Sequence, residues 1–469
     1  MKVKIGLETH VQLNSLSKLF CGCKNTVNLK EEPEPNSLTC DTCLGLPGSK
    51  PRMNKSVIEI ATKVALSLNC KIAPEMFFSR KTYFYPDMSK NFQITQYEIP
   101  LASSGFLDIN VNDKNKKIQI RRIHIEEDPA KVVHVGGLGG KYTLIDYNRA
   151  GIPLIEIVTE PDFESPQEAR LYLHKLTMIL EYLGVYDSTS QAVLKSDANI
   201  SIEGGNKVEV KNITGTKEVE EALNFEIIRQ KSLVAQGVQI RQETRAWNPD
   251  ARSTQEMRGK EAEAEYGYIF EPDLPKFTIQ KPLSEKLKKE LPELPDQKYQ
   301  RFIKSYKLPE AVAESLVSEI DTADLFEFAA KQTDPKIAGS LIAGDLKKTL
   351  NWNNLRFKQS GLKPEWIVDL LKLFIDGKVT DRNAELAIRK MVEEKKSAVE
   401  IIKKHNLGKT KVDLESIIKS VLEANKKPVE DYKKGEKKAL EFLVGQIMRE
   451  TKGQVDATEI RKKLIETLK

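Results

Sequence analysis

A glutamate stands inside the apolar run Ile152-Pro153-Leu154-Ile155-Glu156-Ile157-Val158. A carboxylate in such surroundings is costly to bury unless it is paired or bound to a metal, so Glu156 reads as a functional group. Four other segments offer it company. In Val3–Leu13, strand alternation puts Lys4, Gly6, Glu8, His10 and Gln12 on one face and Val3, Ile5, Leu7, Thr9, Val11 and Leu13 on the other. In Ile123–Asp128 the residues His124, Glu126 and Asp128 share a face opposite Ile123 and Ile125. Asp197, Asn199 and Ser201 oppose Ala198, Ile200 and Ile202, and Val208–Asn212 repeats the scheme with Glu209 and Lys211. If these strands pair, one sheet face gathers acids, amides and a histidine. Acids crowd together only around a cation, and Mg²⁺, which prefers oxygen ligands and binds together with substrate phosphates, suits such a face. The plainer reading of any single strand is a polar face turned to water. Glu156 resists that reading.

A second group is Ser79-Arg80-Lys81-Thr82-Tyr83-Phe84-Tyr85-Pro86-Asp87, followed by Lys90, Gln93, Gln96 and Tyr97. Arg80 and Lys81 suit phosphate neutralisation, and Tyr83 and Tyr85 suit stacking on a base or ribose; an edge strand with solvated charges is the alternative. Two close cysteine pairs, Cys21/Cys23 and Cys40/Cys43, match a four-thiolate structural Zn²⁺ site, although one spacer in the first pair is fewer than usual. The alternative is buried free thiols. Cys70 stands apart after an apolar run and reads as core. Gly136–Tyr142 resembles a phosphate-binding loop but has its first glycine misplaced and Tyr142 where Ser or Thr belongs, so it reads as a hairpin turn. His134, His174 and His405 are isolated. No site for releasing ammonia from glutamine is evident.

The elements that must carry these residues divide the chain in three. Residues 1–291 alternate like sheet, with few helices. One helix is well marked: Ser165-Pro166-Gln167-Glu168 has capping-box spacing, Leu173, Leu176, Leu180 and Leu183 continue its face, and Gly184 ends it. Pro292 and Pro295 read as a linker. Residues 292–408 have helical period, as in Trp366, Leu370, Leu371 and Phe374, and 409–469 form a second helical unit with Leu440, Leu443, Val444, Ile447 and Met448 on one face and Ile460, Leu464 and Leu468 on the next. The turn between them is Lys452-Gly453-Gln454. The expected class is α+β.

The net charge of +6 is unevenly spread: Ile401–Lys469 holds 17 Lys and Arg against 11 Asp and Glu, so the whole excess sits there. A basic tail on a neutral body suits a polyanion partner, and equally a lysine-rich solvated surface. No apolar run is long enough to span a membrane, and the first residues read as a strand rather than a signal peptide, so a cytoplasmic address is expected.

Segments in this order resemble the B subunit of the aspartyl/glutamyl-tRNA(Asn/Gln) amidotransferase family. They are Ile5–Leu13, Arg80–Asp87, His124–Asp128, Asp146–Gly151, Pro153–Val158, Ser196–Ser201, Glu209–Asn212, Gln242–Arg245, Glu271–Asp273 and Phe442–Met448. The related E subunit carries an inserted domain for which this chain has no room. The resemblance implies a cradle-shaped, antiparallel-sheet catalytic domain, an all-helical domain and a small helical tail that helps hold tRNA. It implies a heterotrimer in which an amidase (A) subunit hydrolyses glutamine and a small C subunit completes the assembly, which accounts for the missing glutaminase. It further implies ATP with Mg²⁺ held by His10, Glu156 and one of Glu126 or Glu127, with Glu8 nearby; parity favours Glu126, and a bulge would reverse this. Arg80, Lys81, Tyr83, Tyr85, Asp197, Asn199, Glu209 and Lys211 are the candidate nucleotide-binding residues. The reaction expected is ATP-dependent activation of the Asp or Glu side chain on tRNA, then amidation. A zinc-bearing RNA-binding protein without catalysis would share the cysteines and tail but have no use for Glu156; a free-standing carboxylate–amine ligase would need neither tRNA nor partners.

Overall fold

The computed structural model describes residues 1–136, 142–257, 267–408, 414–433, 436–451, 455 and 457–468. Most of the Gly136–Tyr142 segment and the Lys452-Gly453-Gln454 turn therefore lie outside the described residues. The chain divides into two compact units, Met1–Leu294 and Pro295–Lys469, the boundary falling within the expected Pro292–Pro295 linker. The helical segment and the tail, expected as separate domains, lie in one unit.

Strands in the first unit are, in chain order, β1 Val3–Gln12, β2 Lys71–Ile72, β3 Glu75–Met76, β4 Ser79–Thr82, β5 Phe92–Thr95, β6 Ala102–Val111, β7 Lys114–Glu127 and β8 Lys131–Val135. They continue with β9 Tyr142–Asp146, β10 Pro153–Thr159, β11 Leu194–Ile202, β12 Val208–Thr214, β13 Glu243–Asn248, β14 Ser253–Glu256, β15 Gly267–Phe270 and β16 Phe277–Thr278. Five described α-helices accompany them: α1 Asp41–Leu44, α2 Lys55–Ser67, α3 Pro166–Tyr182, α4 Thr216–Ala235 and α5 Lys281–Lys289. Nine strands form the main sheet in the order β14-β13-β12-β11-β1-β10-β7-β6-β2. β10 and β11 both run antiparallel to β1, one on each side, and α3 carries the chain across between them. The one parallel pair in this sheet, β12 with β13, is joined by α4, as a parallel connection requires a crossover. A smaller sheet has the order β15-β4-β5.

The apolar strand faces found by alternation lie in the core. Ile5, Leu7 and Val11 of β1, Ile155 and Ile157 of β10, and Ile123 and Ile125 of β7 are buried in one cluster with Val57, Ala61 and Val64 of α2, Leu173, Leu176 and Leu180 of α3, and Ala222 and Leu223 of α4. The other face of the same strands is left to the polar residues. α3 begins as its spacing predicts, the Ser165 hydroxyl accepting from Glu168 N at 3.3 Å with Pro166 in the first turn, and Gly184 beyond its end has φ +67°. The Glu168 carboxylate does not return to the cap residue; it accepts from Glu164 N at 2.7 Å and pairs with Lys116.

In the second unit, twelve described α-helices run from Pro295–Tyr306 to Ala457–Leu468. Leu370 and Leu371 are buried in the helix Pro364–Ile375. Leu440, Leu443, Val444, Ile447, Ile460 and Leu464 form a cluster of their own with Leu414 and Ile418. Among the described residues, no helix is long and apolar enough to cross a membrane.

Candidate active site

Register decides which polar residues meet. His10 of β1 lies opposite Glu156 of β10, and Glu156 lies opposite His124 of β7, so three strands deliver an imidazole, a carboxylate and an imidazole in a row. Glu156 Oε2 is 3.3 Å from His10 Nε2 and 3.0 Å from His124 Nε2. Glu126, one alternation further along β7, brings Oε1 to 3.7 Å from His10 and Oε2 to 3.7 Å from His124. Ligand atoms of His10, Glu126 and Glu156 all lie within 4.8 Å of one another.

Burial opposes a charged imidazole at His10, but the hydrogen bond and charge of Glu156, with Glu126 behind it, outweigh burial and raise its pKa to about 10. At His124 the same contest ends at about 9. Burial also opposes an ionised Glu156, yet the charge of His124 and the hydrogen bonds from both imidazoles hold it well below the usual carboxylate range. The cluster is thus arranged around negative charge at Glu156 and positive charge beside it. A divalent ion can take over that positive role. The two carboxylates offer the hard oxygen donors that Mg²⁺ prefers, and His10 adds one nitrogen beside them.

On the other side of β1, Glu8 lies opposite Asp197 and accepts from Asn199 Nδ2 at 2.9 Å. Burial, then the charges of Glu156, Glu209 and Asp197, raise its pKa. Lys211 sits between Asp197, at 3.4 Å, and Glu209, at 3.6 Å. Glu8, Asp197, Asn199, Glu209 and Lys211 therefore continue the polar face from the His10 cluster across β11 to β12.

Glu127 is not part of this cluster. Alternation turns its side chain away from Glu126; it pairs with Lys90 and accepts from Ile94 N at 2.8 Å, tying β7 to β5. Arg80 is placed on the smaller sheet, where its guanidinium makes a two-point pair with the buried Glu271 at 2.7 and 2.9 Å and lies 4.4 Å over the Phe92 ring. Its fork is thus occupied by protein. Lys81 follows it on β4, opposite Gln93 and Tyr268. Tyr83 turns toward the carboxylates: burial first, then the charges of Asp87, Glu126 and Glu127, raise its pKa. Tyr85 is half exposed. Alternation puts His124 on the polar face without singling it out as a site residue. It gives no reason to choose Lys195, which the register puts opposite His10. The parity of each residue is the available signal. A cavity of about 360 Å³ adjoins the face at Gln12, with Lys131, Asp146, Asn148, Arg149 and Gln191 among its lining.

The four thiols also converge. Cys21, Cys23, Cys40 and Cys43 offer sulfur atoms within 4.8 Å of one another, and none is in a disulfide. Cys40 N donates to Cys43 Sγ at 3.1 Å, at the start of α1. The hydrogen bond from Cys21, opposed by burial and aided by Cys40 N–H and Lys18, brings the Cys43 thiol down to about 5. Four sulfurs of this spacing fit one tetrahedral Zn²⁺.

Comparison with known proteins identifies the family. The profile of the GatB/GatE catalytic domain matches residues 3–285, and that of the GatB domain matches residues 324–468. The chain belongs to the family of amidotransferase B subunits. A Methanoregula boonei protein, named as the B subunit of aspartyl/glutamyl-tRNA(Asn/Gln) amidotransferase, is 44% identical, covering 100% of this chain and 98% of its own length. Proteins of the same name from Sulfolobus acidocaldarius and Carboxydothermus hydrogenoformans are 45% and 42% identical, covering 97% and 99% of the chain. Within this family the α+β arrangement, a sheet-built catalytic part followed by helices, is the expected one, and this chain has it.

Proposed function

We propose that this chain activates the side-chain carboxylate of aspartate or glutamate esterified to tRNA, using ATP, and amidates it with ammonia. In this reading it is the B subunit of a heterotrimer whose amidase (A) subunit releases ammonia from glutamine and whose small C subunit completes the assembly. The role belongs to the cytoplasm, where charged tRNA is consumed. The observation that carries the reading is Glu156: a nearly buried carboxylate facing two imidazoles and a second carboxylate, in a family whose relatives are named for tRNA-dependent amidation.

A carboxylate resists ammonia because its leaving group would be oxide. Transfer of the γ-phosphoryl group of ATP to the side-chain oxygen gives ADP and an acyl phosphate. Ammonia then attacks the acyl carbon, the bond to the phosphate oxygen breaks, and phosphate leaves as the nitrogen sheds a proton. Mg²⁺, when bound, neutralises charge on the transferring phosphoryl group. His10, Glu126 and Glu156 would hold it, with Glu8 beside them. Lys211, steadied by Asp197 and Glu209, and Lys195 near His10 supply cations for the remaining phosphates. Arg80 acts through Glu271, fixing the smaller sheet that carries Lys81, while Tyr83 stays neutral beside the carboxylates. The cavity at Gln12 gives room for the aminoacyl end of the tRNA.

The test is Glu156→Gln in the reconstituted complex. ATP-dependent amidation of mischarged tRNA should fall at least a thousandfold, roughly the scale of losing a charge-stabilising group in phosphoryl transfer, while tRNA binding is retained. Amidation at the wild-type rate would overturn the assignment.

A further inference from the structure

Lys18 is fully buried, and what surrounds its ammonium is unusual. Nζ donates to Leu38 O at 3.0 Å and to Tyr147 O at 3.2 Å, and it lies 3.7 Å from Cys43 Sγ. Among the described residues, no carboxylate pairs with it. A buried ammonium held by two neutral carbonyls is short of negative charge. The sulfur is the one partner able to supply it.

The backbone here is built to bring these groups together. Lys18 N donates to Cys23 O at 2.9 Å, and Leu19 N donates to Gly151 O at 2.9 Å. Gly151 has φ +83°, a left-handed conformation that favours glycine, and a Cβ there would meet Lys18 Cδ at 3.6 Å and Cys43 Cβ at 3.8 Å. Leu38 belongs to the loop between the two cysteine pairs. That loop is stitched to the Asp146–Arg149 turn by Leu38 N to Asn148 Oδ1 at 2.7 Å, Asn148 Nδ2 to Glu34 O at 2.7 Å, and Tyr147 N to Asn36 Oδ1 at 2.7 Å.

Four thiolates around a divalent zinc carry a surplus of two negative charges. We propose that Lys18 is the resident counter-cation of the four-cysteine site, neutralising part of that surplus and, through the same ammonium, fastening the metal-loaded loop to the Asp146–Arg149 turn beside the catalytic face. Lys18 is a positioning residue: it touches a ligand sulfur and orients the ligand loop. The inference rests on the reading of the four sulfurs as a zinc site, and it is independent of the proposed amidation, because its test uses neither ATP nor tRNA.

The experiment measures the zinc affinity of the full-length chain by competition with a chelator of known affinity, alongside urea unfolding of the metal-free chain. Lys18→Met keeps the aliphatic stem and removes the charge. Zinc binding should weaken about ten- to a hundredfold, the usual cost of losing a group hydrogen-bonded to a metal ligand. The metal-free unfolding midpoint should fall by less than that of the zinc-loaded chain, because Leu38 O and Tyr147 O lose a donor in both states and the loaded site alone also loses its counter-charge. Lys18→Arg should recover most of the lost affinity, and the cobalt-loaded variants should keep tetrahedral thiolate spectra, since the four ligands are untouched. If Lys18→Met does not fold, Lys18→Gln, which still donates to a carbonyl without the charge, is read by the same affinity loss. Wild-type zinc affinity in the charge-free variant, equal losses in Met and Arg variants, or a wild-type chain that takes up no zinc would each overturn the proposal.

Discussion

Neighbouring strand residues point to opposite faces, so Glu126 and Glu127 cannot serve one ion from a regular strand. Glu126 joins His10 and Glu156, whereas Glu127 is committed to Lys90 and Ile94 N. The two glutamine variants should therefore part company. Glu126→Gln should weaken Mn²⁺ binding, used as a probe for Mg²⁺, by about tenfold or more. Glu127→Gln should leave Mn²⁺ affinity near wild type and instead lower stability by about 3 kcal/mol, because it strands the Lys90 ammonium in a buried place. Titration of Mn²⁺ into the full chain and urea unfolding read the two effects separately; the reverse pattern would place the bulge that parity argues against. Alternation favoured Glu126 over Glu127 and gave the polar set Glu8, His10, Asp197, Asn199, Glu209 and Lys211; the grouping of Glu126 with His10 and Glu156 came from the family resemblance, and the tie of Glu127 to Lys90 had no local signal. Arg80 was not legible either. Its type suited a phosphate, but nothing local reveals that Glu271, 191 residues away, fills its guanidinium fork. His124 was visible on the polar face, and only the pairing of β7 with β10 shows that it completes the contact with Glu156.

An element's own sequence fixes its faces and not its neighbours. The period of β1 shows that His10 and Ile5 oppose each other, yet its place between β10 and β11 depends on α3 crossing over, which single-strand patterning cannot reveal. The capped start of α3 was readable because a hydroxyl, a proline and a glutamate act within four residues. The short helix α1 is a different case. Gly45, just past its end, has φ +68°, and a Cβ there would overlap Lys90 Cγ and sit 3.1 Å from Lys90 Cα. Ser89 Oγ also donates to Cys43 O at 2.9 Å. The cysteine turn is thus packed against the lysine that pairs with Glu127. Gly45→Ala should destabilise the chain by about 1–3 kcal/mol, combining left-handed strain with overpacking. Because the backbone of Lys90 is one of the close neighbours, shortening Lys90 should not rescue it fully. Urea unfolding of the single and double variants checks this, and an unchanged midpoint for Gly45→Ala would refute the close packing.

At the scale of the whole molecule, charge and chemistry are segregated in sequence: the catalytic candidates fall within Met1–Leu294, while the basic excess lies in Ile401–Lys469. The tail's apolar residues form a separate buried cluster. Lys419, Lys426, Lys427 and Lys462 are exposed. If the tail holds tRNA by its phosphates, each lysine that meets one releases a counterion, and affinity depends on salt with a slope set by the number of phosphates neutralised. Replacing these four lysines by glutamine in the full chain should weaken tRNA binding at low salt by about tenfold or more and flatten the dependence of log affinity on log salt by up to about 0.9 for each phosphate no longer neutralised. ATP turnover at saturating tRNA should be unchanged, since none of the four lies in the unit that carries Glu156. Filter binding across a salt series, paired with steady-state turnover, reads both quantities. An unaltered slope would reduce the basic tail to a solvated helical surface, and a loss of turnover at saturating tRNA would mean that the tail also serves the chemistry.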